Sequence, residues 1–281
     1  MHGRLSLCFE RPQNGSSAAL RFLVQEPPWR VVRAFPTEAG ASLIHLNNIS
    51  GGILGGDRLE LQIELSAGVA AQITSTGATR IYRSRPGQGA AVCSTTISLG
   101  KNSLLEFLPD ALIPYAGSSF EQHTSIDLAP GATLFWWEVV APGRAAAGEV
   151  FRYRGLRLQS EICAQGLPFA MEHFHLEPGQ RPLDSPARLA GDRYLTTFFI
   201  CKVGPPAGEW RGLEQELAEI AARLTRPGEI RWGASALARH GIIVRGLSRE
   251  SRWTWPGLYE FWRAAKWRLL GQQAVLPRKV Y

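Results

Sequence analysis

Residues 58–65, RLELQIEL, alternate apolar and polar side chains without a break. Leu59, Leu61, Ile63 and Leu65 point one way, and Arg58, Glu60, Gln62 and Glu64 the other. A period of 3.6 cannot separate these sets; a strand with one buried face does. A short turn, SAG, and a second strand candidate, VAAQIT, follow. The unit recurs. LSAGVAAQI from Leu65, LGKNSLLEF from Leu99 and LAPGATLFW from Leu128 each read as strand end, polar turn and new strand, at intervals of 34 and 29 residues. Such spacing predicts successive hairpins or coils stacked into one long β architecture, too uneven for a strict solenoid.

Further strand candidates are EVFRYRGLRLQSEICA, RYLTTFFICKV and HGIIVRGLS. Two segments depart from period two. EWRGLEQELAEIAARL places Leu213, Leu217, Ile220, Ala221 and Leu224 on one helical face, and Pro227-Gly228 ends it. WPGLYEFWRAAKWRLLG has Pro256 near its start, Gly271 as its stop, and Arg263, Lys266 and Arg268 assigned to its surface. The expected fold is all-β dominated: a single extended domain over residues 1–281, built of stacked β-hairpins or β-coils with two peripheral α-helices.

Composition narrows the setting. A chain of 281 residues with 45% hydrophobic and 20% charged content reads as globular. No apolar run has the length of a membrane span, and MHGRLSLCFE lacks a signal peptide's apolar stretch, so a cytoplasmic protein is expected. Cys8, Cys93, Cys163 and Cys201 form no CxxC pair and read as partly buried free thiols. The charge of +7 is uneven: residues 226–281 carry eleven Arg and Lys against Glu229, Glu250 and Glu260, leaving the remainder slightly negative. An acidic partner at the C-terminal end accounts for this, as does simple arginine bias.

The stretch SGGILGGDRL holds Gly51, Gly52, Gly55 and Gly56, followed at once by Asp57. Neither Walker nor dinucleotide spacing is present, and a strand follows instead of a helix, so nucleotide binding is not expected. A turn with several positive-φ positions explains the glycines but not Asp57.

GGILGGDRLELQIEL, TSTGATRIYRS at 74–84 and EFLPDALIPYAGS at 106–118 together resemble the urease accessory protein family UreD (UreH in some lineages). EVVAPGRAAAGEVF at 138–151, PLDSPARLAG at 182–191 and the LPRKVY end continue the resemblance in order over nearly the whole chain. Two departures stand out. Asp110-Ala111 replaces the family's Gln-Glu after Leu-Pro, removing a carboxylate at 111, and the final tripeptide lacks the usual Trp, ending in Tyr281. The resemblance implies a non-enzymatic scaffold with an extended β fold. Such a scaffold binds apo-urease and joins UreF and UreG. UreG supplies GTP hydrolysis, and the assembly delivers nickel to the urease active site.

Asp57, Glu138 and Glu149 fall inside the strongest of these motifs. Carboxylates are weak, hard ligands suited to transient holding of nickel along a relay, with no tightly bound cofactor. Each serves equally as an ordinary ion-pair partner, with Arg144 beside Glu149. His173 and His175, at i and i+2 of a strand, can chelate a metal or stand as surface imidazoles. Arg263, Lys266 and Arg268 are assigned to partner docking beside Trp253, Trp255, Trp262 and Trp267. The residues alone leave two other classes open: a carbohydrate-active enzyme using scattered carboxylates, and nucleic-acid binding by the basic, aromatic C-terminal segment.

Overall fold

The alternation at 58–65 is the repeating pattern of a two-sheet coil. In the computed structural model, which describes residues 1–11, 18–37 and 40–277, the first sheet runs from one edge to the other through seven strands. In spatial order these are β15 (Leu167–Leu176), β14 (Gly155–Ala164), β12 (Ser119–Leu128), β9 (Ala91–Leu99), β6 (Arg58–Leu65), β1 (His2–Glu10) and β2 (Ala19–Gln25). The second runs through β17 (Ile230–Ala236), β18 (Gly241–Ser248), β16 (Tyr194–Lys202), β13 (Thr133–Val140), β10 (Leu104–Phe107), β7 (Ala70–Ser75), β5 (Ser42–Asn48) and β3 (Trp29–Arg30). Short strands β4 (Phe35–Pro36), β8 (Thr79–Ile81) and β11 (Leu112–Pro114) lie at its margin. The terminal LPRKVY lies outside the described residues from position 278 onward.

Of the two arrangements left open, the three repeats adopt the coil. Each turn carries the chain from the first sheet to the second: β6 to β7, β9 to β10, β12 to β13. Successive strands within a sheet are therefore parallel neighbours. The turns stack through the backbone, Gly68 N–H donating to Lys101 O at 2.8 Å, Asn102 N–H to Pro130 O at 3.0 Å and Gly131 N–H to Val203 O at 2.9 Å. Gly68, Asn102 and Gly131 share a left-handed conformation, which Gly and Asn adopt at least cost. The expected strand at 149–164 begins only at Gly155; the six residues before it form the return loop, with Phe151 at positive φ.

Register writes the core's character across the strands. One row of the first sheet, Leu7, Ile63, Ile97, Ile126 and Ile162, is wholly aliphatic. Two residues toward the other strand ends, the same ladder reads Leu5, Leu61, Thr95, Thr124 and Ser160. The second sheet follows suit: Ile73, Phe107, Trp136 and Phe199 are paired in one row, and Ser75 and Glu138 follow two residues on in their strands. The inter-sheet space is thus dry at the turn end and polar farther along.

Helices α1 (Ala207–Leu224) and α2 (Thr254–Leu270) cover the other face of the second sheet. Trp210, Leu213, Leu217, Ile220 and Ala221 of α1 are buried, and Gly271, at φ 63°, terminates α2 as expected. Trp137 is the hub beneath them, with ring centroids 6.4, 6.0 and 6.2 Å from Trp255, Tyr259 and Trp262. Most of the C-terminal aromatic mass therefore belongs to this protein's own core; Trp267 remains exposed. All four cysteines are free.

Candidate functional site

Where the two inner faces turn polar, they enclose a cavity of about 360 Å³. Cys93, Thr95, Gln122 and Thr124 face it from the first sheet, Ser75, Trp136 and Glu138 from the second, and Asp110 from the segment after β10. Gly51, Gly52 and Arg80 lie on its rim side. The Gln122 amide donates a hydrogen bond to Glu138 Oε1. Glu138 has no counter-ion among the described residues. Burial pushes its carboxyl up to about 7, against the lowering effect of Gln122 and with a smaller push from Glu172. Glu138 is only partly buried and its uncovered surface lines the cavity, so near neutrality its proton exchanges through that space. Burial likewise drives the Cys93 thiol up to about 12. That keeps it a neutral thiol, unlike a reactive thiolate. Asp110, unremarked in the sequence except as a departure, also lines a second cavity of about 300 Å³ beside Thr74, Trp137, Trp255 and Tyr259. Ser75 Oγ donates to its Oδ2 at 3.2 Å.

Asp57 and Glu149 do not line this cavity. Asp57 is buried and already engaged: the amino terminus lies 2.9 Å from Oδ1, and Leu54 N–H donates to Oδ2 at 2.9 Å. It closes the glycine turn and pins β1 beside β6. Glu149 accepts from Arg144 and from Ala116 N–H at 3.2 Å, and the Arg144 bond is the main cause holding its carboxyl down at about 2. Of the three carboxylates expected along one relay, Glu138 is the one that lines the cavity.

The four glycines divide by cause. Gly51 and Gly56 have φ of 79° and 82°, as expected. Gly52 and Gly55 have ordinary angles but no room: a Cβ on Gly52 would stand 2.6 Å from the Tyr82 ring, and one on Gly55 would stand 2.6 Å from Ser84 Oγ. A substitution at these two is costly through contact, so positive φ does not account for all four glycines.

The expected basic face of α2 is also corrected. Arg263 and Arg268 are exposed, but Lys266 is only 4% exposed, its Nζ 2.8 Å from Glu106 Oε1. Trp262 Nε1–H donates to the same oxygen at 2.9 Å, and Gln72 donates to Oε2 at 3.1 Å. Spacing hid this pairing: Lys266 follows Trp262 by one helical turn and shares its inward face. His173 and His175 alternate with inward residues on β15, and His175 Nε2 lies 2.9 Å from Glu177 Oε1. Among the described residues, no three His, Cys, Asp or Glu side chains gather as a metal-holding group. No helix there is long and apolar enough to cross a membrane.

The fold and cavity define a class: a coiled two-sheet β scaffold, backed by a helical layer, with a partly open cavity between the sheets that carries a few polar groups on a largely apolar lining. The profile described as UreD urease accessory protein matches residues 1–281. The chain belongs to the UreD urease accessory protein family. It is 44% identical over 281 residues to the urease accessory protein UreD of Herpetosiphon aurantiacus, covering 100% of this chain and 97% of the relative. It is also 31% identical over 279 residues to that of Delftia acidovorans, covering 94% and 89%, and 30% identical over 280 residues to that of Acaryochloris marina, covering 99% and 94%. This membership supports a role in urease maturation, alongside urease and other accessory proteins.

Proposed function

We propose that this chain is a non-enzymatic cytoplasmic scaffold that binds apo-urease, joins UreF and UreG, and passes nickel through its interior during GTP-dependent insertion. The observation that carries the reading is the cavity between the sheets with Glu138 and Asp110 on its wall. Nickel is cargo here. A relay must release what it holds, and one or two oxygen ligands with a nearby amide and hydroxyls bind weakly enough to do so. Asp110 faces two cavities and is the natural continuation of the path from Glu138. Asp57 and Glu149, each engaged by a cation and a backbone N–H, serve the scaffold.

The test is urease activation in a strain lacking this gene. Glu138→Ala is expected to leave the complex with UreF and urease assembled, and to lower the nickel content and activity of the urease produced. Full activation by Glu138→Ala combined with Asp110→Ala overturns the passage. Loss of assembly makes the two residues structural. A carbohydrate-active reading asks for paired carboxylates across an open cleft. Glu138 instead stands between the two sheets, hydrogen-bonded by the Gln122 amide, which favours the scaffold.

A further inference from the structure

The return loops of the coil, at the end opposite the stacked turns, build a second surface. Ser84 N–H donates to Gly117 O at 3.3 Å and Gly117 N–H to Arg152 O at 2.8 Å, so the loops around 82–90, 115–118 and 141–154 lie side by side. On this crest stand Arg83, Arg85, Arg144, Arg152 and Arg154, all exposed. The acid among them, Glu149, is taken by Arg144. Among the described residues, Arg83, Arg85 and Arg152 form no ion pair.

Three of these arginine side chains are held in place. Arg154 Nη2 donates to Ser84 O at 3.0 Å, Arg144 lies 4.5 Å over the Tyr115 ring, and the Arg83 stem packs on Gly117, where a Cβ would come within 3.1 Å of its Nε. Tyr115 in turn meets Tyr82 edge-on at 5.2 Å. Fixed side chains lose less entropy on binding than free ones, and Arg with Tyr is the composition of energetic interface centres. The glycine turn adds exposed Ile49 and Leu54 beside them, its Gly51 carbonyl accepting from Tyr82 OH at 3.0 Å.

We infer that this crest docks a partner protein through a carboxylate-rich surface of that partner. Guanidinium forks match carboxylates two bonds at a time. A phosphate backbone would be served by the same charge. However, the crest interleaves its arginines with half-buried tyrosines and exposed aliphatics and carries no lysine, the mixed character of a protein interface. Arg80, Gly51 and Gly52 line the interior cavity, so a partner seated here covers its rim. In that respect the inference rests on the proposed passage.

The experiment compares the full chain with Arg83→Glu/Arg85→Glu/Arg152→Glu and with the milder Arg83→Gln/Arg85→Gln. Affinities for apo-urease, UreF and UreG are measured at several salt concentrations, with double-stranded DNA and phosphatidylserine vesicles as alternative probes. The charge-reversed chain is expected to lose about tenfold or more in affinity for at least one of the three proteins, with a shallower salt dependence, and the Gln variant less. Unchanged affinity for all three, or a loss confined to DNA or vesicles, overturns the inference. Should the reversed chain not fold, the Gln variant decides by the same criteria. If the wild-type chain binds none of the three proteins, the maturation reading fails. The crest is then decided on immobilised poly-L-glutamate: selective loss by the variant supports it, and equal retention overturns it.

Discussion

Glu106 and Glu138 lie on adjacent strands of the second sheet, three residues apart in register, and point to opposite faces. Glu106, beneath α2, is 2% exposed and receives an ammonium, an indole N–H and an amide. Glu138 faces the cavity with an amide as its hydrogen-bond donor. Glu106 is cut off from bulk water and met by a cation, whereas Glu138 is only partly buried and, with no cation beside it, has its carboxyl raised toward neutrality. Burial sets the cost of a charge; the donors that reach the oxygens decide how that cost is met. The outer face spends its carboxylate on fastening a helix, and the inner face keeps one available to a guest.

The strongest way to break this comparison is Glu106→Ala. It strands the Lys266 ammonium in the interior, and the expected loss is about 3–5 kcal/mol of unfolding free energy, measured by urea denaturation. Glu106→Leu with Lys266→Met should recover only part of it, because the apolar pair leaves no stranded charge but takes the acceptor from the Trp262 indole N–H and the Gln72 amide. A loss below 1 kcal/mol on the scale of exposed pairs would place Glu106 with the surface bridges instead.

The second prediction concerns pH. Burial raises the Glu138 carboxyl from its ordinary value of 4.5 to about 7 in the folded chain. Between those values the unfolded chain releases a proton that the folded chain keeps, so this group's contribution makes stability fall as pH rises, levelling above about 7. The component amounts to at most about 3 kcal/mol, less wherever cavity water solvates the anion. Glu138→Gln removes it, so the variant should match the wild type near pH 4 and exceed it at pH 8. Parallel melting curves across that range would refute the raised carboxyl.

Smaller still is the effect expected of Gly51→Val or Gly56→Val, about 1–3 kcal/mol each from the left-handed backbone alone. Calorimetry compares these with Gly52→Val, whose cost arises from contact with both the Tyr82 ring and the Arg80 carbonyl oxygen and should be relieved only in part by Tyr82→Ala. Relief of the Gly56→Val cost by the same truncation would contradict the division of the four glycines. Least disturbing to the fold is Arg263→Glu with Arg268→Glu, the exposed neighbours of Lys266. Stability should change by about 0.5 kcal/mol or less, while binding to UreF or urease weakens if α2 docks there. Unchanged pull-down of both would confine the basic function of this helix to Lys266.

Strand periodicity made the strands legible, because one face of every repeat is buried and period two survives that constraint. Both helices were legible for the same reason at period 3.6. The choice of coil over hairpin lies in parallel pairing between distant repeats, which periodicity does not encode. What escaped was pairing across the sheet. Glu106 reads locally as a polar residue in an apolar run, and Lys266 as one of three cations on a helix. Their meeting joins positions far apart in the chain, and no local pattern encodes it. Asp57 and Glu149 were legible as conspicuous carboxylates, and Arg144 as a partner for Glu149, but the amino terminus and the backbone N–H groups that complete their bonding were not. Their partners are a chain terminus, backbone N–H groups and one arginine, and which of these a carboxylate meets is a matter of folded geometry. Glu138 was found through its motif; Gln122 and Asp110 were not, since uncharged rows and turn-end acids carry no periodic signature.

The order of elements along the chain gives the outer face of the second sheet a history during synthesis. β10, β13 and β16 emerge from the ribosome well before α2, so Phe135, Trp137 and Phe198 form an uncovered apolar wall on the nascent protein. Domains assemble from the N-terminus as they emerge, and such walls invite aggregation. Glu106 stands in that wall from the start. Until Lys266 arrives its carboxylate draws water into the middle of the apolar surface, as charged gatekeepers do at exposed strands. The residue that fastens the finished molecule is thus also the one that keeps the unfinished one wet.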